Sequence, residues 1–300
     1  MTTEHSNRRQ GGILAFFGIA GFSLTLPATR LAVLHLDPWF VALGRGVLAA
    51  LLAAVALRLT RQPWPGLRHL RGLSLVALGV IVGFPVLTAW AMQDLPASHG
   101  GITLSITPLA TALLGARLAG ERLPARFWLA SLAGGAAVFA FSLHAGDGVF
   151  RLGDLWLLAA ALLAAMGYAE GARLAPALGG WQVICWALVI AAPLLAAPLI
   201  WIALRTPPVA PAEAWAGFAY VGLVSQFLAF MFWYRGLALG GIARTSQIQL
   251  LQPFLTLGAC ALLLGEPLSA SMLAVAAVVV SSLWVSQRAP SRLTVRPKPL

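Results

Sequence analysis

Long apolar runs separated by short polar or basic segments dominate this chain of 300 residues. A membrane core of about 30 Å requires roughly 20 helical residues to cross it. Ten runs approach that length between Arg, Pro and Gly residues. They cover residues 11–31, 39–59, 73–92, 98–118, 127–143, 154–174, 181–204, 215–236, 242–264 and 269–286. The sequence therefore predicts an all-α membrane protein with ten transmembrane helices.

The composition favours the same class. Hydrophobic residues make up 60% of the chain and charged residues only 10%, which is more apolar surface than a soluble core can bury. The net charge is +11, but the basic residues are spread over the segments between apolar runs and do not gather on one face. We therefore expect a lipid bilayer around the protein and no nucleic-acid partner.

The basic residues also predict the orientation, because positively charged loops stay in the cytoplasm. With the N-terminus inside, 16 basic residues fall on the cytoplasmic side and 3 outside. The cytoplasmic residues are Arg8, Arg9, Arg58, Arg61, Arg68, Arg71, Arg117, Arg122, Arg126, Arg173, Arg235, Arg244, Arg288, Arg292, Arg296 and Lys298. The outer residues are Arg30, Arg151 and Arg205, whereas Arg45 lies within the second run. Residues 1–10 and the basic residues 287–300 are thus predicted to be cytoplasmic tails.

One phrase occurs twice: Pro-x-x-Thr, then eight apolar or small residues, then Gly-Glu-x-Leu. The copies contain Pro108, Thr111, Gly120 and Glu121, and Pro253, Thr256, Gly265 and Glu266. Both lie at corresponding places in long apolar runs, which indicates that a membrane-embedded unit is duplicated. Five spans per copy is an odd number, so the second copy must enter the membrane from the opposite side. We predict two inverted five-helix repeats, residues 11–145 and 153–286.

With these features the chain resembles ten-helix members of the drug/metabolite transporter superfamily that are built from two EamA-type domains. The two Pro-to-Gly-Glu phrases carry the resemblance, together with Arg45 at a place in the first domain where a basic residue is common. The second copy has Ala187 near that position. The resemblance implies a permease of the bacterial inner membrane, typically an exporter of amino acids or other small metabolites. It also implies a central cavity lined by spans 1 to 4 and 6 to 9.

Polar side chains at helical spacing predict the lining of this cavity. Span 9 carries a stripe of Thr245, Gln249, Gln252 and Thr256, and span 4 carries Thr103, Thr107 and Thr111. The glutamine amides favour a space filled by water or substrate, because each has four hydrogen-bonding positions to satisfy. The threonines could instead bond their own helix carbonyls or hold helices together.

Other cavity candidates are Arg45, which could bind a substrate carboxylate or internal carbonyl groups, and the aromatic residues Trp90, Tyr168 and Trp186. Pro108 and Pro253 are expected to kink spans 4 and 9, because proline removes a helical hydrogen bond.

Charged residues near the span ends have other predicted roles. The Gly120-Glu121 and Gly265-Glu266 corners are expected to be structural, with each carboxylate binding free N–H groups at the start of the next helix. Glu170 is the candidate for ion coupling, although its spacing also predicts an ion pair with Arg173.

A membrane-embedded enzyme or a non-transporting scaffold is the alternative function. An enzyme needs a nucleophile, a metal cluster or paired carboxylates within reach of one another, and the sequence presents no such pattern. We therefore expect no catalytic residues, metal ligands or cofactor. The inverted repeat instead predicts that the protein moves a small-molecule substrate by alternating access. Proton antiport, exchange and facilitated diffusion are all compatible with the sequence, and so is a homodimer.

Overall fold

The computed structural model describes residues 2–119, 125–145, 151–240 and 246–287, and every regular element in these ranges is helical. The α-helices are α1 (Thr2–Ser23), α2 (Thr25–Val33), α3 (Pro38–Leu59), α4 (Leu67–Val76), α5 (Phe84–Asp94), α6 (Ala97–Leu104), α7 (Thr107–Ala119), α8 (Ala125–Ala145), α9 (Leu152–Leu178), α10 (Gly180–Arg205), α11 (Ala212–Ala219), α12 (Ala229–Gly240), α13 (Gln252–Leu264) and α14 (Ala270–Gln287). Two π-helical segments, Ala77–Gly83 and Tyr220–Leu228, join α4 to α5 and α11 to α12. A 3-10 helix, Ser246–Leu251, leads into α13.

Within the described ranges, six helical segments are long and apolar enough to cross a membrane. They are Arg9–Val33, Pro38–Leu59, Leu67–Asp94, Leu152–Leu178, Gly180–Arg205 and Ala212–Gly236. Three shorter apolar helices, Leu132–Phe141, Gln252–Leu264 and Ala270–Ser282, fall within further predicted spans. The all-α membrane architecture is thereby confirmed.

Several spans that the sequence presents as continuous are broken in the structure. The first span is interrupted at Leu24, where Pro27 lacks the N–H that would bond the Ser23 carbonyl. The fourth span is interrupted at Ser105 and Ile106, between α6 and α7. These breaks place backbone polar groups inside the bundle, where neighbouring helices must satisfy them.

Close antiparallel packing joins α1 and α2 to α12 and α11. A methyl group added at Gly18 would lie 2.9 Å from the Trp233 backbone nitrogen, and one at Gly217 would lie 2.5 Å from the Ala28 carbonyl oxygen. Position 18 therefore meets position 233, and position 28 meets position 217. Small residues allow the two backbones to approach this closely.

A second close antiparallel contact joins the third span to α9. A methyl group added at Gly79 would lie 2.5 Å from the Leu163 carbonyl oxygen, and one at Gly153 would lie 2.7 Å from the Leu95 side chain. The first contact pairs span 1 with span 8 and the second pairs span 6 with span 3. In each, a helix of one half of the chain packs on a helix of the other.

The remaining large contacts also cross between the halves. Helix α3 packs on α10, and α8 packs on α14. Two large clusters of buried apolar side chains result, one containing Ile19, Leu73 and Ile184 and the other Leu26, Met92 and Leu157. Each cluster draws on both halves, and side chains of both border the cavity described next.

Candidate functional site

A narrow cavity lies among helices from both halves of the chain. Its free volume is about 50 Å³, enough for a few water molecules. The residues that line it are Phe22, Thr25, Leu26, Arg45, Val80, Phe84, Gly101, Leu104, Ser105, Thr107, Pro108, Ala164, Tyr168, Ser225, Gln226, Phe230, Gln249, Gln252, Pro253 and Thr256. Spans 1, 2, 3, 4, 6, 8 and 9 thus contribute, and the interruptions in spans 3, 4, 8 and 9 all border it.

Among the described residues that line the cavity, Arg45 alone is charged. It projects from α3 and is only 2% exposed. Its Nη2 donates a hydrogen bond of 2.9 Å to Ser225 Oγ, which lies 2.8 Å from Thr25 Oγ1. Its buried Nε and Nη1 atoms have no hydrogen-bond partner in the part of the chain that the structure describes. A buried guanidinium without a carboxylate partner is costly, so these two donors mark the cavity as a place for an anion or for ordered water.

Gln226 adds an unsatisfied acceptor to the same wall. Its Nε2 donates a hydrogen bond of 3.0 Å to the Val80 carbonyl oxygen, and this bond joins the two π-helical segments. Its buried Oε1 has no partner. Ser225 and Gln226 are adjacent in a segment of a kind that often occurs at functional sites.

The two predicted polar stripes meet in part at the cavity. Gln249, Gln252 and Thr256 line it from span 9, and Thr107 lines it from span 4. Thr103 is fully buried outside the lining and donates to the His99 carbonyl oxygen over 3.2 Å.

Two further threonines of the stripes lie elsewhere. Thr111 also lies outside the lining and donates to the Thr107 carbonyl oxygen over 2.9 Å. Thr245 lies outside the described residues.

Pro108 and Pro253 stand in the first turn of α7 and α13, directly after the interruptions. Pro108 cannot donate to the Leu104 carbonyl, and the Thr107 hydroxyl does so instead, over 2.6 Å. Both prolines line the cavity. The interruptions in spans 4 and 9 therefore border the same cavity as Arg45 and Gln226.

An aromatic wall faces the polar groups. Phe22, Tyr168 and Phe230 all line the cavity, with ring centroids 4.7 Å apart for Phe22 and Phe230 and 6.0 Å apart for Tyr168 and Phe230. Of the aromatic residues singled out in the sequence, only Tyr168 belongs to this wall.

The two predicted tryptophans pack elsewhere. Trp90 packs edge-on against Trp39, and Trp186 packs edge-on against Trp64. Neither is part of the lining.

Glu266 binds the first turn of α6. Its Oε1 and Oε2 accept hydrogen bonds from the backbone N–H groups of Ala97 and Ser98, over 2.9 and 2.7 Å. Gly265 ends α13 with a φ of 64°, a left-handed conformation that suits glycine. The sequence placed this carboxylate on the next helix along the chain, but it reaches a helix of the other half. Gly120 and Glu121 lie outside the described residues.

A buried pair that the sequence did not reveal lies beside this cap. His99 Nε2 is 2.6 Å from Asp154 Oδ1, and the two residues are 4% and 0% exposed. Asp154 Oδ2 also accepts the backbone N–H of Arg151 over 3.0 Å. The residues are 55 positions apart, so no local spacing in the sequence indicates the contact.

Glu170 is buried and bonds the Arg173 guanidinium, with Arg173 Nε donating to Glu170 Oε2 over 2.8 Å. This is the pair that their spacing predicts. Glu170 does not line the cavity. Within the described residues, no group of three or more His, Cys, Asp or Glu side chains is placed to hold a metal ion.

Comparisons with known proteins agree with this architecture. The model of the EamA-like transporter family matches residues 9–143 and again residues 151–287. A Bacillus subtilis (strain 168) protein called uncharacterized transporter YdeK is 42% identical over 284 residues, covering 93% of this chain and 97% of that protein.

A more distant relative and a solved structure are also similar. A protein of Streptantibioticus cattleyicolor, called probable terminal-alkyne amino-acid exporter, is 28% identical over 259 residues and 83% of each chain. A solved structure described only as the crystal structure of a protein has a TM-score of 0.65 and 21% identity, over 93% of this chain and 96% of that one. The likeness to that structure supports the fold alone.

Proposed function

This chain belongs to the EamA-like transporter family, and we propose that it exports amino acids or other small metabolites by alternating access through the cavity between its two halves. The observation that carries the proposal is the cavity itself. Helices of both halves line it. Two guanidinium nitrogens of Arg45 and the amide oxygen of Gln226 are buried there without a partner among the described residues. Buried polar groups without partners often mark substrate paths in membrane proteins. Burying them costs free energy, and helix packing alone gives no reason to keep them. The name of the Streptantibioticus relative, an amino-acid exporter, favours the same solutes.

The proposed architecture is ten spans in two inverted repeats. It is supported by the matched pairs of contacts, span 1 with span 8 and span 6 with span 3, and by π-helical segments at corresponding places in spans 3 and 8. Departures from the α-helix also precede Pro108 and Pro253: turn residues Ser105 and Ile106 in span 4, and the 3-10 helix Ser246–Leu251 in span 9. Such a repeat lets one arrangement of helices open to either side of the membrane.

The proposed location is the bacterial inner membrane with both termini in the cytoplasm, as the distribution of Arg and Lys indicates. A C-terminal fusion to green fluorescent protein checks the orientation, because that protein fluoresces only when it folds in the cytoplasm. A dark fusion that is present in full in the membrane would reverse the assignment.

Everted membrane vesicles test transport directly, because an exporter carries solute into them. We expect vesicles with the overproduced protein to take up at least one labelled amino acid with saturable kinetics, above vesicles from the same strain with an empty vector. Initial rates should be measured with and without a proton gradient, since the two conditions separate antiport from facilitated diffusion. Equal, unsaturable uptake in both vesicle types across the panel would contradict the proposal.

A further inference from the structure

The guanidinium of Arg45 lacks a counter-charge within the described part of the chain. Asp154 contacts His99, Glu170 contacts Arg173, and Glu266 binds backbone N–H groups of α6. Asp37 caps the start of α3, while Asp94 and Glu213 are exposed. The cavity thus contains a fixed positive charge that no described carboxylate neutralises. A bound anion would remove most of that cost.

The surroundings of Arg45 hold it in one orientation. Ser225 accepts from Nη2, and Thr25 in turn contacts Ser225, so helices α2 and α3 and a π-helical segment all meet at this point. The Nε and Nη1 donors stay free while the guanidinium is anchored by its third nitrogen. Each free N–H of this charged group can donate to an oxygen of a carboxylate, and such charge-assisted bonds are stronger than neutral ones.

The neighbouring groups indicate the rest of the ligand. Gln226 Oε1 needs a donor, and an N–H or O–H group next to a carboxylate would supply one. The wall of Phe22, Tyr168 and Phe230 suits an apolar or aromatic body. No acidic residue is among the described lining residues, so a cationic side chain on the ligand would meet no counter-charge there.

We propose that Arg45, anchored by Ser225 and Thr25, is a carboxylate-binding subsite that selects small carboxylates with an adjacent N–H or O–H donor and an uncharged side chain. This inference rests on the proposed transport function, whose cavity it specifies. Neutral amino acids belong to the class, whereas their carboxamides and basic amino acids do not.

The test compares matched ligand pairs on the purified full chain in detergent. Alanine, leucine, methionine and phenylalanine are each titrated beside the corresponding amide, with ligand-induced shifts of the unfolding temperature converted to Kd. We expect at least one acid to bind about tenfold or more tightly than its amide, which corresponds to about 1.4 kcal/mol. If no acid binds more tightly than its amide, the proposal is wrong.

Variants of Arg45 identify the group that makes the distinction. Arg45→Met keeps the length of the side chain and removes the charge, and we expect the acid-to-amide ratio to fall to about one. Arg45→Lys keeps the positive charge but loses the planar set of N–H donors, and it should give an intermediate acid-to-amide ratio. Arg45→Met should not lower the unfolding temperature of the free protein, since it removes an unpaired buried charge. An unchanged ratio in Arg45→Met would overturn the assignment.

Ser225→Ala provides a folded variant in which Arg45 is retained but loses its anchor. We expect it to weaken acid binding while leaving amide binding unchanged. If the wild type transports in vesicles and the acid-to-amide binding ratio is the same in Arg45→Met as in the wild type, the subsite is refuted and the transport function stands. If the acid-to-amide binding ratio falls in Arg45→Met but the wild type shows no flux in vesicles, the transport function is refuted and the subsite stands.

Discussion

At the scale of single residues, a few polar side chains make the cavity distinct from an ordinary helix interface. Arg45, Ser225 and Gln226 are almost completely buried, and two of them retain donors or acceptors without a protein partner. Packing between membrane helices requires only small residues and satisfied hydrogen bonds. These unpartnered atoms support the proposal that the cavity binds a ligand.

Gln252 is predicted to contribute to flux and not to folding. It lines the cavity, so Gln252→Leu removes an amide from the proposed path while keeping a side chain of similar size. We expect the transport rate in vesicles to fall by about tenfold, as for the loss of one hydrogen bond of about 1.4 kcal/mol. Membrane content and unfolding temperature should match the wild type.

The matched control is Gln93→Leu, at an exposed glutamine outside the cavity. It should transport at the wild-type rate. Normal flux in Gln252→Leu would assign that glutamine to packing.

The His99 and Asp154 pair is predicted to be a stability determinant. His99→Leu leaves the buried Asp154 carboxylate with only the Arg151 N–H, and we expect it to lower the free energy of unfolding by about 3 kcal/mol. His99→Gln keeps a donor for the carboxylate and should lose much less. Unfolding in detergent by heat or by SDS titration measures both, and an equal loss in the two variants would argue against the hydrogen bond as the cause.

Single residues also show where sequence reasoning ends. Gln249, Gln252, Thr256 and Thr107 were found by periodicity, and the structure lines the cavity with them. Thr25, Ser225 and Gln226 lie outside the stripes that periodicity reveals, because their place at the cavity depends on contacts between distant helices. Periodicity reveals a face of one helix but not which isolated side chains of different helices converge.

At the scale of elements, the cavity is bordered by the places where the α-helices of the spans are interrupted. Pro108 and Pro253 predict kinks in spans 4 and 9, since the missing N–H of proline has a local effect. In the structure Pro108 follows two turn residues and Pro253 follows a 3-10 helix. The π-helical segments in spans 3 and 8 have no comparable sequence mark. They become visible only through contacts such as that of Gln226 with the Val80 carbonyl.

The cap that Glu266 provides to α6 is predicted to stabilise this short helix. Glu266→Ala leaves the Ala97 and Ser98 N–H groups without their acceptor, and we expect a loss of about 1 kcal/mol in the free energy of unfolding. Hydrogen exchange of the α6 amides should accelerate in the variant.

The comparison is Glu213→Ala, at an exposed carboxylate in the first turn of α11. It should have a smaller effect and leave α6 unchanged. If both variants exchanged α6 amides at the wild-type rate, the cap would not stabilise the helix.

At the scale of the whole molecule, the two halves are held together by crossed antiparallel contacts. Membrane class and helical content were predictable from composition and run length, because the bilayer imposes both. Which spans pair across the halves was not predictable, since many apolar helices offer similar surfaces. Glycines at the closest contacts allow particular pairs of helices to pack backbone against backbone.

Gly18→Ala is predicted to disturb the contact between the halves. The added methyl group would meet the Trp233 backbone nitrogen at 2.9 Å and the Ala229 carbonyl oxygen at 3.0 Å, and neither can move independently. We expect a loss of about 1 to 3 kcal/mol in the free energy of unfolding.

Gly258→Ala is the matched control, because nothing lies within 4 Å of the added methyl group in α13. It should be neutral or stabilise the protein by about 0.5 to 1 kcal/mol, as alanine suits a helix better than glycine. A Gly18→Ala variant as stable as Gly258→Ala would show that the helices can separate at no cost.

The cap on α6 also bears on the order in which the protein is completed during synthesis. Ala97 precedes its acceptor Glu266 by 169 positions, which a ribosome adding about 5 to 20 residues per second needs roughly ten seconds or longer to produce. A helix of eight residues is marginal by itself. During that interval the Ala97 and Ser98 N–H groups have no Glu266 carboxylate to bind, so this cap can form only when the chain is almost finished.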